Sequence, residues 1–127
     1  MKTFRSPDTV HAPLAPYSHQ VEVSGERLLF VAGQVGMRVD GALAETAAEQ
    51  LDVALENVLA NLAAAELEVR DLVKLTFYLV EEVDGPTRGE ILSRRLGGHR
   101  PAMTLVYVAR LAAPPLLVEV DAWAAGA

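Results

Sequence analysis

Two segments of this 127-residue chain, Leu28–Ala32 and Leu105–Ala109, are apolar on both faces when read as strands. A strand with one wet face alternates polar and apolar residues; a strand apolar throughout belongs to a sheet covered on both sides. Only two helical segments can be read from the rest of the chain, and two helices cover one face. The other face is expected to meet a second copy, and a closed cyclic homo-oligomer follows from symmetry.

The first helix is the most sharply marked element. Thr46-Ala47-Ala48-Glu49 has the form of a capping box, with Glu49 reaching back toward the helix start. Leu51, Leu55, Val58 and Leu62 then recur at helical spacing and form one apolar stripe. Glu45, Glu49, Asp52 and Glu56 lie off it, placing acid where the helix dipole favours it. Asn57 and Asn61 read as a solvated or locally bonded pair. A second helix is expected from about Thr87 to Leu96, after Pro86 and before Gly97-Gly98. Leu72–Val80 alternates, with Val73, Leu75, Phe77 and Leu79 on one side and Lys74, Thr76 and Tyr78 on the other. Gln20–Val23 and Arg27–Ala32 read as a hairpin turned at Gly25. Met103–Arg110 and Leu116–Ala124 are the last strands. Residues 1–16, with Pro7, Pro13 and Pro16, are expected to form an extended arm of a single domain spanning 1–127. The order is that of an α+β domain, a sheet of several strands with two helices.

Half of the residues, 51%, are apolar, which supplies a core without staples. The absence of cysteine excludes disulfides, thiolate nucleophiles and thiolate metal sites. The net charge is −6 and the basic residues are scattered, which disfavours a broad nucleic-acid surface. Lys2 and Lys74 are the only lysines. No apolar run approaches the roughly 20 residues of a membrane span, and Met1–Pro7 lacks a signal-peptide core. A soluble cytoplasmic protein is the expectation.

Few residues stand out as chemical. Asp121 shares one side of the final strand with Glu119 and Trp123. It is either an ordinary residue of a half-exposed strand or a cleft carboxylate that orients water or moves a proton. Gly33-Gln34-Val35-Gly36 marks a tight backbone excursion; a sheet bulge is favoured over a close approach to ligand. Tyr17, after Pro16, either closes a cleft or simply packs. His11, His19 and His99 have no metal-ligand spacing. No Ser-His-Asp set, phosphate loop or nicotinamide fingerprint is present.

Read in order, the chain resembles the RidA/YjgF family, also called endoribonuclease L-PSP-like proteins. The resemblance rests on Ala15-Pro16-Tyr17, Ala32-Gly33-Gln34-Val35, Gln50 with Leu55-Glu56-Asn57-Val58, and Asp71–Thr76. It continues through Arg100-Pro101-Ala102, Val108-Ala109-Arg110-Leu111 and Val118-Glu119-Val120-Asp121-Ala122. It implies a chorismate-mutase-like α+β fold and a homotrimer whose sheets surround a central barrel, with small-molecule clefts between subunits. Active members hydrolyse imines and enamines derived from amino acids to 2-keto acids and ammonia, with no metal or organic cofactor. The acidic balance and the lack of an apolar span lead to no expected nucleic-acid or membrane partner.

Position by position, Tyr17 matches the family's cleft tyrosine and Gly33 the glycine whose backbone borders the ligand. Asp121 stands where a glutamate usually handles the attacking water. Ala32 replaces a common serine, Leu105 a common cysteine, and Met103 the family's arginine. The segment between Val80 and Pro101 is a few residues shorter than usual. A guanidinium grips a carboxylate through two parallel hydrogen bonds. Its loss at a partly buried site costs on the order of 2–5 kcal/mol, and a thioether offers no replacement. Neither Arg100, on the loop side of Pro101, nor Arg110, of opposite strand parity, is an evident stand-in. The expectation is hydrolysis of an imine or enamine other than the usual 2-imino acids. A binding or regulatory trimer without deaminase activity is the alternative, and a ribonuclease is disfavoured by the acidic balance.

Overall fold

The computed structural model describes residues 1–127. Strands β1 (Lys2–Arg5) and β2 (Gln20–Val23) form a two-stranded antiparallel ribbon. The main sheet contains β3 (Arg27–Val35), β4 (Leu72–Leu79), β5 (Ala102–Tyr107) and β6 (Val118–Gly126) in the order β3-β6-β4-β5. β4 and β5 are parallel and joined by helix α2 (Gly85–Leu96); the other pairs are antiparallel. Helix α1 (Ala47–Ala64) precedes β4.

Both helices lie on one face of the sheet. The α1 stripe Leu51, Leu55, Val58 and Leu62 is buried against Leu75, Phe77 and Leu79 of β4 and Val118, Val120 and Ala122 of β6. Burying a side chain of this size stabilises by about 1.5–3 kcal/mol each, so this layer holds the fold. Thr46 caps α1 by accepting from the Glu49 amide at 3.1 Å. The Glu49 carboxylate reaches one residue past the cap and accepts from the Glu45 amide, so the expected box closes on a different donor. Asp84 caps α2, and Gly97 ends it at φ +61°, a left-handed conformation that glycine adopts without a Cβ penalty. Gln50 is buried with every polar atom used. Its amide donates to the carbonyls of Ala44 and Pro115, and its oxygen accepts from the Leu117 amide.

Two local expectations change and a third is extended. β2 does not return onto β3: Gly25 has the positive φ of a turn, +68°, but β2 pairs with β1 instead. The arm is therefore a strand at its start, tied by the Ser24 amide to the Met1 carbonyl and by Lys2 to Glu26. Val73 leaves the face it was assigned to. A bulge between Leu72 and Lys74 turns it toward the helix-free side, where it lines a groove with Lys74. The Asn57–Asn61 pair is locally bonded as expected, Asn61 donating to the Asn57 carbonyl at 2.8 Å; beyond that, the Asn57 amide holds the carbonyls of Val35 and Met37 and so fixes the loop after β3.

The helix-free face is apolar and open in the single chain. Leu28, Phe30 and Trp123 are 57%, 61% and 50% exposed, and the Phe30 and Trp123 rings meet edge to face at 4.7 Å. No helix is long and apolar enough to cross a membrane.

Candidate functional site

On this open face the register sets the chemistry. Thr76 of β4 stands opposite Asp121 of β6, Tyr78 opposite Glu119, and Lys74 opposite Trp123. From β5, Ala102 and Thr104 lie beside Lys74 and Thr76. Lys74, Thr76, Tyr78, Ala102 and Asp121 floor a groove of about 650 Å3, walled by Val21 and Val23 of β2 and by Leu28 and Trp123.

Asp121 is half-buried in this groove. Its Oδ2 accepts from the Tyr78 hydroxyl at 3.0 Å, and Oδ1 has no protein donor. That hydrogen bond, with loss of solvent and the charges of Asp121 and Glu119, pushes the Tyr78 phenol above its ordinary value of 10.0. Tyr78 is therefore a fixed donor at neutral pH, and it leaves one carboxylate oxygen facing the groove. On the other side, Lys74 donates to the Thr104 hydroxyl at 2.6 Å.

Of the residues singled out from sequence, the structure brings Ala32, Gly33 and Asp121 together. The β3–β6 register slips between Val31 and Gln34, so Ala32 and Gly33 form a bulge opposite Asp121. The Glu119 side chain lies directly over Gly33; a Cβ there would come within 2.3 Å of its carboxylate.

Met103 and Leu105 are placed elsewhere. They pair with Leu75 and Phe77, point to the helix side, and pack partly buried against the core. Met103 borders a separate cleft of about 200 Å3 beside α2, which Pro16 and Arg100 also line. The arm reaches this cleft because the Ser18 amide and hydroxyl donate to the carbonyls of Pro101 and Arg100. Tyr17, next to Ser18, accepts from the Leu14 amide at 3.2 Å and stacks edge-on to His19. Within one chain Tyr17 and Met103 thus belong to the β5 edge, and Gly33 and Asp121 to the open face.

Tyr78 and Lys74 were placed on the polar side of β4 by alternation but not recognised as site residues. The signal was present: two strands each carry polar residues on alternate positions. Only their mutual register shows that those positions meet. No group of three or more His, Asp or Glu side chains is placed to hold a metal ion. His99 and His19 each bond a backbone carbonyl, of Leu72 and His11 respectively.

A two-helix, mixed-sheet α+β domain with a carboxylate on its uncovered face is the class that these features define. A family model described as endoribonuclease L-PSP matches residues 9–126, and the chain belongs to this family, the Rid (RidA/YjgF) proteins. A RutC family protein of Pyrococcus horikoshii is 32% identical over 116 residues, covering 87% of this chain and 86% of the relative. TdcF of Escherichia coli K12, described as a candidate reactive intermediate deaminase, is 30% identical over 82% of this chain and 84% of its own. Among solved structures, the Rid protein YyfB of Yersinia pestis superposes with a TM-score of 0.85 at 28% identity, covering 97% of each chain. The crystal structure of E. coli TdcF with bound serine gives a TM-score of 0.72 at 29% identity, covering 98% of this chain and 96% of that one.

Proposed function

We propose that this protein is a Rid-type homotrimer that hydrolyses an imine or enamine metabolite other than the usual 2-imino acids, in clefts completed between subunits. The carrying observation is Asp121: one carboxylate oxygen is anchored by Tyr78 and the other faces a largely apolar groove. Membership of a family that includes TdcF supports the reaction class. The exposed Leu28, Phe30 and Trp123 support burial of this face by neighbouring copies. Such an assembly has a second consequence. It sets the β5 edge of one chain, with Tyr17 and Met103, against the open face of the next, with Gly33 and Asp121.

In the proposed reaction a water hydrogen-bonded to Oδ1 of Asp121 adds to the C=N carbon while the carboxylate takes its proton. That proton passes to the imine nitrogen, completing a neutral carbinolamine. Asp121 then takes the carbinolamine hydroxyl proton and delivers it to the nitrogen as the C–N bond breaks, so ammonia leaves and a carbonyl remains; an enamine first tautomerises to the imine. Met103 supplies no guanidinium for an α-carboxylate, which sets the usual 2-imino acids aside as substrates.

The test is a coupled assay. An amine oxidase generates benzaldimine from benzylamine, and a lyase generates 2-aminoacrylate in parallel. The protein is expected to accelerate benzaldehyde formation and to leave pyruvate release near its uncatalysed rate; acceleration of pyruvate release would overturn the reading of Met103. The second reading, a trimer that binds without turnover, is favoured by the separation of Met103 from Asp121 within the chain. It predicts no acceleration of either reaction.

A further inference from the structure

Lys74 and Asp121 are diagonal neighbours on the same face of the β4–β6 pair, since Asp121 stands opposite Thr76. Opposite charges in this relation ordinarily reach each other. Here they do not form an ion pair. Asp121 is turned to Tyr78, and Lys74 is turned the other way, to Thr104 on β5. Lys74 makes no ion pair with any carboxylate, whereas Lys2, the other lysine, is held by Glu26 and Asp71. Both Lys74 and Asp121 line the same groove, whose remaining walls are mostly apolar. An ammonium partly removed from water with only a hydroxyl for a partner is an incomplete hydrogen-bonding group, because it has three donors. An anionic oxygen completes it.

We propose that Lys74 and Thr104 form the subsite for an anionic group, a carboxylate in the first instance, on the substrate of the Asp121 site. The inference rests on the open-face groove being the reaction site. It relocates the substrate-holding cation: where Met103 offers none on the helix side, Lys74 offers one on the opposite face. Thr104 steers the ammonium by accepting one of its protons and leaves the others for the ligand. The substrate class becomes an imine or enamine with an apolar body, the C=N group at Asp121 and an anion at Lys74. Lys74 is then a specificity residue, not an acid or base.

Because Lys2 and Lys74 are the only lysines, lysine-specific 13Cε labelling gives one reporter and one internal control. Titration of the full-length protein with propionate is expected to move the Lys74 signal saturably and to leave Lys2 unmoved. The same titration on Lys74→Met should show no saturable response, and Lys74→Arg should recover it by amide shifts at Thr104. In turnover, Lys74→Met is expected to raise KM roughly tenfold or more for the aldimine of 4-(aminomethyl)benzoate. The KM for benzaldimine, which lacks the carboxylate, should change much less, so the ratio of the two KM values reads the subsite. Equal or non-saturating shifts of the two lysines would overturn the proposal, as would identical KM changes for both imines. If neither imine is turned over, the hydrolase reading fails, and the propionate titration alone decides the subsite.

Discussion

Asp121, the proposed base, is set by what surrounds it. With Oδ2 held at 3.0 Å by Tyr78, the carboxylate cannot swing away from the groove. Asp121→Asn keeps the shape and removes the base; kcat for benzaldimine is expected to fall by roughly 10²- to 10⁴-fold with circular dichroism unchanged. Tyr78→Phe removes only the anchor, and a loss of about tenfold in kcat is the expected outcome. The Tyr78 phenol has a raised folded value, so its contribution to stability is complete below the ordinary 10.0 and is lost as pH rises through the folded value. An alkaline unfolding series should therefore show wild type losing stability above pH 10 relative to Tyr78→Phe. Alternation placed Asp121 on one side of its strand and left its role open; the resemblance singled it out. Nothing pointed to Tyr78, because its partner lies 43 residues away and only the β4–β6 register joins them.

At the scale of elements, β3 and α1 are locked where Gly36 passes Gln50. A Cβ on Gly36 would sit 2.4 Å from the Gln50 backbone Cα, which cannot yield without moving the helix. Gly36→Ala is expected to cost about 3 kcal/mol, read as a lower urea midpoint with unchanged slope. The two helices are joined by Asp52 of α1, which accepts from Arg94 and Arg95 of α2 at 3.1 and 2.7 Å. The hydrogen bond from Arg95 leads in holding Asp52 below its ordinary 3.8. A depressed carboxylate contributes stability above its unfolded value and loses that contribution as pH falls through the folded one. Acid unfolding below about pH 4 should thus be steeper in wild type than in Asp52→Asn, whose cost at neutral pH is at most about 1 kcal/mol at this half-exposed site. The helices and β4 were legible because their periodicity is local. The β2–β3 hairpin misread had a physical cause: a turn residue at Gly25 says that the chain bends, not which strand it then pairs with. Here β1 supplied the competing partner through Lys2–Glu26 and the Ser24–Met1 backbone bond. The bulge at Ala32-Gly33 was readable from its glycine, whereas the one at Val73 left no mark in a cleanly alternating strand.

For the whole molecule, the apolar strands predicted a covered second face, and the single chain leaves Leu28, Phe30 and Trp123 uncovered on it. In the proposed trimer neighbouring copies cover this face and complete each cleft, uniting Tyr17 and Met103 with Asp121. Phe30→Glu places a charge in that contact and is expected to yield monomers that remain folded and lose hydrolysis. What the residues could not show is which edges meet, since that depends on the shapes of two chains and not on the pattern of one. Sedimentation equilibrium of the unmodified protein decides this: a single species of three times the 13.6 kDa chain mass is expected across a micromolar dilution series. A species that sediments as one chain throughout that range would contradict it.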